Sequence, residues 1–259
     1  MHAYWLEQNE ADLPSNDDWL SPREATLLGS MRFAKRRADW RLGRWTAKLA
    51  AAAYLGLYAG PHTLQKIEVC PAPSGAPELF LKGRPAPVGI SISHRAGIAV
   101  CAIATYVVLG CDVELIELRD ESFVTDYFTG AEQEQIRRAP SQDRLRLVTV
   151  LWSAKESALK ALRHGLRLDT RSVAVTLLSP VDSGVSCWYP LLVRSAAGEV
   201  LHGWWQSTER LVRTLAAHPA PAAPLPLQAA LGCNGATARA AARPRYASMT
   251  AGSLRICSG

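Results

Sequence analysis

Acidic, basic and hydroxyl side chains gather in three short segments of this chain. The first is Gly110-Cys111-Asp112-Val113-Glu114. Residues two apart on a strand share a face, so Asp112 and Glu114 would present two carboxylates side by side. Such a pair needs a cation, a proton or open water. Alone, it reads most simply as an exposed strand end carrying two solvated acids. The second is Trp152-Ser153-Ala154-Lys155-Glu156-Ser157-Ala158-Leu159-Lys160. Trp152, Glu156 and Lys160 are four apart and share a helix face. Alone, this is a core tryptophan beside an ordinary Glu–Lys pair. The third, Ser91-Ile92-Ser93-His94-Arg95-Ala96-Gly97, is a polar turn after an apolar strand, where a lone histidine is an ordinary turn residue.

The elements that would position these segments follow from hydrophobic period and breakers. HAYWL near the start alternates like a strand, and Pro22 opens a helical stretch. Residues 31–58 then form a long helix, with Phe33, Trp40, Trp45, Leu49 and Ala52 at helical spacing and Gly60-Pro61 as its stop. IEVC at 67–70 is a strand, and 71–87 a Pro/Gly-rich loop. VGISIS and GIAVCAIAT form two strands around the turn Arg95-Ala96-Gly97, and YVVLGCDVEL continues as a third. A second long helix spans about 144–164, ending at Gly165. The strand-like runs SVAVTLL, SCWYPLLVRS, VLHGWWQS and LVRTLAAH follow it. The expected class is α+β, as two pseudo-duplicated halves, each a long helix packed on a small, mostly antiparallel sheet. The expected boundaries are 1–108, 109–218 and an Ala/Pro-rich, flexible tail at 219–259.

In this order, the three segments resemble the Sfp-type (group II) 4′-phosphopantetheinyl transferases. That signature is a G-[hydrophobic]-D-x-E strand, then W-[small]-x-K-E-[SA]-x-x-K on a helix. Asp112, Glu114, Trp152, Lys155, Glu156 and Lys160 all fall on it. Ser93-His94 matches the family's S-H element, and Arg44 in LGRWTAK its basic helix. The family's Gly-Lys-Pro turn has two candidates, Gly75-Ala76-Pro77, which lacks the base, and Gly83-Arg84-Pro85, which has one.

The resemblance implies transfer of 4′-phosphopantetheine from coenzyme A to a serine of an apo acyl or peptidyl carrier protein, releasing 3′,5′-ADP. Asp112, Glu114 and Glu156 would be oxygen ligands for Mg2+, which favours carboxylates, water and phosphate. Glu156 would take the serine proton and Lys160 stabilise the leaving phosphate. Arg36, Arg37, Arg44, Arg84, Ser93 and His94 would hold coenzyme A; Lys155 is either a phosphate contact or a surface residue. The carrier would dock on 117–150, through Phe123, Phe128, Arg137 and Arg138. A Mg2+-dependent nucleotide phosphohydrolase or nuclease is the alternative, since carboxylates plus lysine serve those too.

Composition narrows the classes. The chain has 259 residues, 48% of them hydrophobic, enough for a real core. No run of apolar residues is long enough for a membrane helix, and the start lacks a secretory pattern, so a cytoplasmic location is expected, and the expected state is a monomer. The six cysteines show no C-x-x-C pair, which argues against zinc and against a disulfide framework. The net charge is +6, but four arginines lie beyond His218, so the remainder carries +2, too little to imply a nucleic-acid partner. Seven basic residues against one acid between Arg32 and Lys48 form the main positive patch.

Overall fold

The computed structural model describes residues 1–105, 107–163, 168–178 and 188–228. The class is α+β. The chain begins with β1 (Tyr4–Asn9), α1 (Pro22–Ser30), α2 (Ala34–Tyr54) and α3 (Pro61–Leu64). Strands β2 (Ile67–Pro71), β3 (Pro77–Leu81), β4 (Arg84–Pro85), β5 (Val88–Arg95) and β6 (Ile98–Thr105) follow. Next come β7 (Val108–Leu115), α4 (Glu121–Tyr127), α5 (Gly130–Arg138) and α6 (Ser141–Ala161). The described part closes with β8 (Val173–Leu177), β9 (Tyr189–Ser195), β10 (Val200–Ser207), β11 (Leu211–His218) and β12 (Leu225–Pro226).

Three sheets result, ordered β12-β1-β6-β5, β7-β11-β10-β9-β8 and β2-β3-β4. The strand period builds two cores from one strand. On β6, Cys101 and Ile103 point to the cluster under α2, whereas Val100, Ala102 and Ala104 point to a second cluster. There they meet Leu109, Cys111 and Val113 of β7 and Leu215 and Ala217 of β11, joining the two large sheets. A third cluster packs α6 on its own sheet, through Leu151, Ala154, Ala158 and Leu159.

Helix ends follow their signals in part. Ser21 and Glu24 make a reciprocal capping box with Pro22 in the first turn of α1. Helix α2 stops before Gly60-Pro61, because Gly56 at φ +66° takes the left-handed conformation just past its end. Phe33, expected on the helix's apolar face, lies outside its period and is 71% exposed. The expected loop at 71–87 contains β3 and β4; Pro71, Pro77 and Pro85 stand at the ends of strands, where no ladder donor is needed. His164 and Gly165, the expected end of α6, lie outside the described residues.

The expectation of a flexible tail from 219 needs correction for its first part. Ala222, Leu225 and Leu227 donate backbone bonds to the carbonyls of Met1, Ala3 and Trp5, and β12 pairs in parallel with β1. Leu227 packs on the α2 cluster. The prolines rule out a helix but not an edge strand, where a missing N–H can face outward. Residues 229–259 lie outside the described residues.

The two long helices correspond at one place in detail. Each has 21 residues, with Trp45-Thr46-Ala47-Lys48 and Trp152-Ser153-Ala154-Lys155 at the same helical positions. Lys48 is buried, pairs with Glu24, and donates to the carbonyls of Trp19 and Leu64 at 3.0 Å each. Lys155 is buried too; it pairs with Glu132 at 2.8 Å and donates to the carbonyls of Thr170 and Val173 at 3.0 and 2.5 Å. Each glutamate turns its other oxygen to a strand amide, Val69 for Glu24 and Val175 for Glu132. Both ammonium groups are therefore fully satisfied structural ties, the condition under which buried charge is tolerated.

Candidate functional site

The site forms where β5, β7 and α6 meet. On β7, Cys111 and Val113 face the core between the sheets, and Gly110, Asp112 and Glu114 take the other face, toward α6. Gly110 allows the close approach: a Cβ there would stand 1.9 Å from the Ser157 carbonyl oxygen and 2.6 Å from the Ala161 nitrogen. The hairpin of β5 and β6 turns through Ala96 and Gly97, both at positive φ, and leaves Ser93 and His94 at its end. Cys111 N donates to Ser91 Oγ at 2.9 Å, so a side chain ties β5 to β7.

Asp112 is the hub. Its Oδ1 accepts from Lys160 Nζ at 2.6 Å and Ser93 Oγ at 2.7 Å, and its Oδ2 from Ser153 Oγ at 2.8 Å. Lys160 also donates to Ser93 Oγ at 3.0 Å and the Cys111 carbonyl at 3.2 Å. Burial alone would lower the Lys160 pKa, but Asp112, with help from Cys111 and Glu156, holds it above its ordinary value. Lys160 is a firmly charged cation.

Glu114 accepts from Trp152 Nε1 at 3.1 Å and pairs with Arg119 at 3.2 Å and Arg95 at 3.4 Å. Its pKa is raised by burial and by Asp112, against the pull of Arg119, Trp152 and Arg95. Glu156 is also raised by burial; Lys160 opposes this, and Asp112 and Glu114 add to it. Glu156 Oε1 is buried and has no hydrogen-bond partner among the described residues. Orphaned buried acceptors ask for an explanation, and here three acids lie in one another's field.

That observation tests the fit of a divalent cation. Among the described residues, no three of His, Cys, Asp and Glu are gathered closely enough to ligate a metal by themselves. Mg2+ does not require such a cage, since it binds through one or two carboxylates plus water and substrate phosphate. The unpartnered Glu156 oxygen and the raised Glu114 and Glu156 fit a cation that would relieve both.

A cavity of about 420 Å³ opens beside this cluster. Its walls are the Ser74–Pro77 turn, Gly89–Ile92 of β5, Val107–Leu109, and Lys160, Ala161 and Arg163 at the end of α6. Lys160 therefore belongs both to the cavity wall and to the Asp112 cluster. Of the two Gly-x-Pro turns, Gly75-Ala76-Pro77 lines the cavity; Arg84, exposed on β4, is not in its wall.

The other expected residues divide. His94 is exposed, and partial desolvation lowers its pKa, with Asp39, Lys160, Lys35 and Asp112 close enough to contribute. Arg36 is exposed and Arg37 half-buried on α2. Arg44 packs its guanidinium 4.9 Å from the Trp40 ring centre, and desolvation lowers its pKa. Lys155 must be corrected: it is neither a phosphate contact nor a surface residue, being 0% exposed and tied to Glu132. The first half supplies a control. Lys48 makes the same bonds although the next residue is Leu49, so the lysine serves the fold whether or not a carboxylate follows.

The expected docking segment is also altered. Phe128 is 0% exposed, and Arg137 and Arg138 are paired with Glu134. Phe123 and Tyr127 instead stack on Trp152, at 4.9 and 5.2 Å between ring centres. Ser91, Ser153, Arg95, Arg119 and Arg163 were not singled out from sequence. Ser153 stands inside the W-S-A-K-E run, where its hydroxyl reaches Asp112.

Residues 108–193 match the family model described as ACPS, 4′-phosphopantetheinyl transferase superfamily. The 4′-phosphopantetheinyl transferase HetI of Nostoc sp. is 25% identical over 178 residues, 68% of this chain and 73% of that protein. The crystal structure of Helicobacter pylori holo-[acyl-carrier-protein] synthase (AcpS) in complex with coenzyme A aligns at 19% identity and a TM-score of 0.32, covering 40% of this chain and 98% of that one. Strand β7 and helix α6, which carry Asp112, Glu114, Glu156 and Lys160, both lie inside the segment that is similar to the 4′-phosphopantetheinyl transferase superfamily model.

Proposed function

We propose that this protein moves the 4′-phosphopantetheine arm of coenzyme A onto a serine of an apo carrier protein, with Mg2+, releasing 3′,5′-ADP. The observation that carries the reading is Lys160, which lines a cavity of about 420 Å³ and is hydrogen-bonded to Asp112 within the carboxylate cluster. A phosphate donor in that cavity would meet a charged ammonium that is bonded to one of the carboxylates suited to a divalent ion.

In this reading the serine oxygen attacks the phosphorus on the pantetheine side of the pyrophosphate. The bond to the bridging oxygen breaks, and 3′,5′-ADP departs. Glu156, with a raised pKa and an unpartnered oxygen, accepts the serine proton. Lys160 donates to the oxygen that gains charge on the departing phosphate. Asp112, Glu156 and, from beside them, Glu114 would hold Mg2+, which would supply charge neutralisation across the pyrophosphate. Arg163 on the cavity wall and Arg36 and Arg37 of α2 are the cations for the 3′-phosphate end, with His94 beside them as a hydrogen-bonding group. Arg44 joins them only by way of the Trp40 stack. The carrier would approach over Leu118, which is 88% exposed, and the Phe123–Tyr127 pair beside Trp152.

Ser93 and His94 come from residues 1–108, and Asp112, Glu156 and Lys160 from 109–218. One chain therefore provides both sides of the site, consistent with a monomer that uses both halves. Among the described residues, no helix is long and apolar enough to cross a membrane.

The test is mass spectrometry of an apo carrier protein incubated with coenzyme A, Mg2+ and the protein. The expected outcome is a gain equal to one phosphopantetheine on serine, with equimolar 3′,5′-ADP. Nucleotide release at the same rate without carrier would favour a phosphohydrolase instead.

A further inference from the structure

A line of buried hydroxyls runs from the back of α6 to Asp112. Ser153 Oγ donates to Asp112 Oδ2 at 2.8 Å. Thr214 Oγ1, on β11, lies 2.9 Å from Ser153 Oγ, and Ser157 Oγ lies 2.6 Å from Thr214 Oγ1. Thr214 Oγ1 also donates to the Ser153 carbonyl oxygen at 2.8 Å. Ser153 and Ser157 are 0% exposed and Thr214 2%. The β7–β11 register sets Thr214 directly opposite Asp112.

Proton counting gives this line a direction. A carboxylate only accepts, so the single Ser153 hydroxyl proton is committed to Asp112. Ser153 Oγ can then only accept from Thr214, whose one proton is shared between Ser153 Oγ and the Ser153 carbonyl, and Thr214 accepts from Ser157. The line ends on Oδ2, with Thr214 held against both polar atoms of Ser153.

The first half shows what the same helix–sheet contact looks like without this device. At the helical positions of Ser153 and Ser157, α2 has Thr46 and Ala50. Thr46 turns its hydroxyl back to the Leu42 carbonyl at 2.8 Å, within its own helix. Ala50 packs in an apolar cluster with Leu6 and Cys101. Packing alone is thus achieved there without a buried polar chain, and buried hydroxyls cost free energy unless they are bonded. The chain of hydroxyls occurs where it ends on a carboxylate.

We infer that Ser153 and Thr214 are positioning residues that clamp Asp112 Oδ2 and so fix the direction in which Oδ1 faces Ser93, Lys160 and a bound cation. The inference rests on the reading of Asp112 as a metal carboxylate. Outer partners of metal carboxylates typically contribute about 10–100-fold in metal affinity or activity.

The test uses Mn2+ as the probe, its free concentration followed by electron paramagnetic resonance with coenzyme A present. The protein is full length, and thermal midpoints are measured alongside. Ser153→Ala and Thr214→Val, which removes only the hydroxyl, should weaken Mn2+ binding by about 10–100-fold. They should lower kcat in parallel while leaving KM for coenzyme A near the parental value. Thr214→Ser, which keeps the hydroxyl, should restore both. Asp112→Asn separates the premises. If it binds Mn2+ like the parent, the metal reading itself fails, and this inference with it. If Asp112→Asn loses Mn2+ but the folded Ser153→Ala and Thr214→Val keep it, only the positioning role is overturned. A fall in Thr214→Ser as large as in Thr214→Val, tracking the thermal midpoint, would mean packing and not positioning. Should either main variant lose its fold, Ser157→Ala decides, because Ala50 shows that alanine suits that helical position. Parental Mn2+ affinity in folded Ser157→Ala would then overturn the inference.

Discussion

Gly110 and Ser157 are in near backbone contact: a Cβ on Gly110 would fall 1.9 Å from the Ser157 carbonyl oxygen. The smallest side chain on β7 therefore sets the distance between the strand that carries Asp112 and the helix that carries Glu156 and Lys160. The first prediction follows from it. Gly110→Ala should push α6 away from β7 and separate Lys160 from Asp112. Overpacking of this kind costs about 1–3 kcal/mol. Urea unfolding should show that loss, and transfer activity should fall by more than stability explains. A variant with unchanged midpoint and activity would show that the two elements can part without consequence.

Lys155 is predicted to be a stability residue. Removing one partner of a buried pair leaves an uncompensated charge and costs about 3–5 kcal/mol. Lys155→Ala, which leaves Glu132 unpaired, and Lys48→Ala, which leaves Glu24 unpaired, should be destabilised by similar amounts in chemical denaturation. If Lys155→Ala keeps parental stability and loses only affinity for coenzyme A, the lysine belongs to the site after all.

The carboxylate cluster predicts a pH signature. Burial raises Glu156 and Glu114 above the ordinary 4.5. A carboxyl raised in the folded state binds its proton more tightly there than when unfolded. Its contribution therefore falls as pH climbs from the unfolded value through the folded one, and stays low above it. Glu156→Gln should accordingly be more stable than the parent at neutral pH, with the difference vanishing in acid, below the unfolded value. Thermal midpoints across that range, measured without divalent ions, check it. A difference that grows toward low pH has the wrong sign and would remove the electrostatic account.

The segment after His218 predicts two different truncations. A chain ending at Pro219 loses the backbone bonds from Ala222, Leu225 and Leu227 to the first strand region, each worth about 0.5–1.5 kcal/mol net. It also leaves Trp204 Nε1 without the Pro221 carbonyl, 3.1 Å away. A chain ending at Gln228 keeps all of these. The shorter chain should melt earlier than the longer one, and equal midpoints would mean that β12 contributes nothing to the fold.

Much of the site could be read along the chain because its signals are local. Asp112 and Glu114 share a face by the strand period, and Trp152, Glu156 and Lys160 by the helical one. The same arithmetic could have set Lys155 aside, since one residue from Glu156 is about 100° around the helix. The segment after His218 is less legible: proline excludes a helix, but whether an edge strand waits to receive the segment is a property of β1, more than 200 residues away in sequence.

By itself the sequence determined the two long helices, one of which carries Lys155 and Lys160, the strand that carries the paired acids, and the resemblance that points to the chemistry. Local period and capping decide those, through interactions spanning a few residues. Only the tertiary structure decided which groups the acids meet. Ser93, Ser153 and Lys160 reach Asp112 from 19, 41 and 48 residues away. It also decided which lysine is a structural tie and which is free to face a cavity. Those outcomes depend on how two sheets and two helices stack, and on a glycine that lets them touch, because hydrogen bonds and burial act over a few ångströms of space and not along the chain.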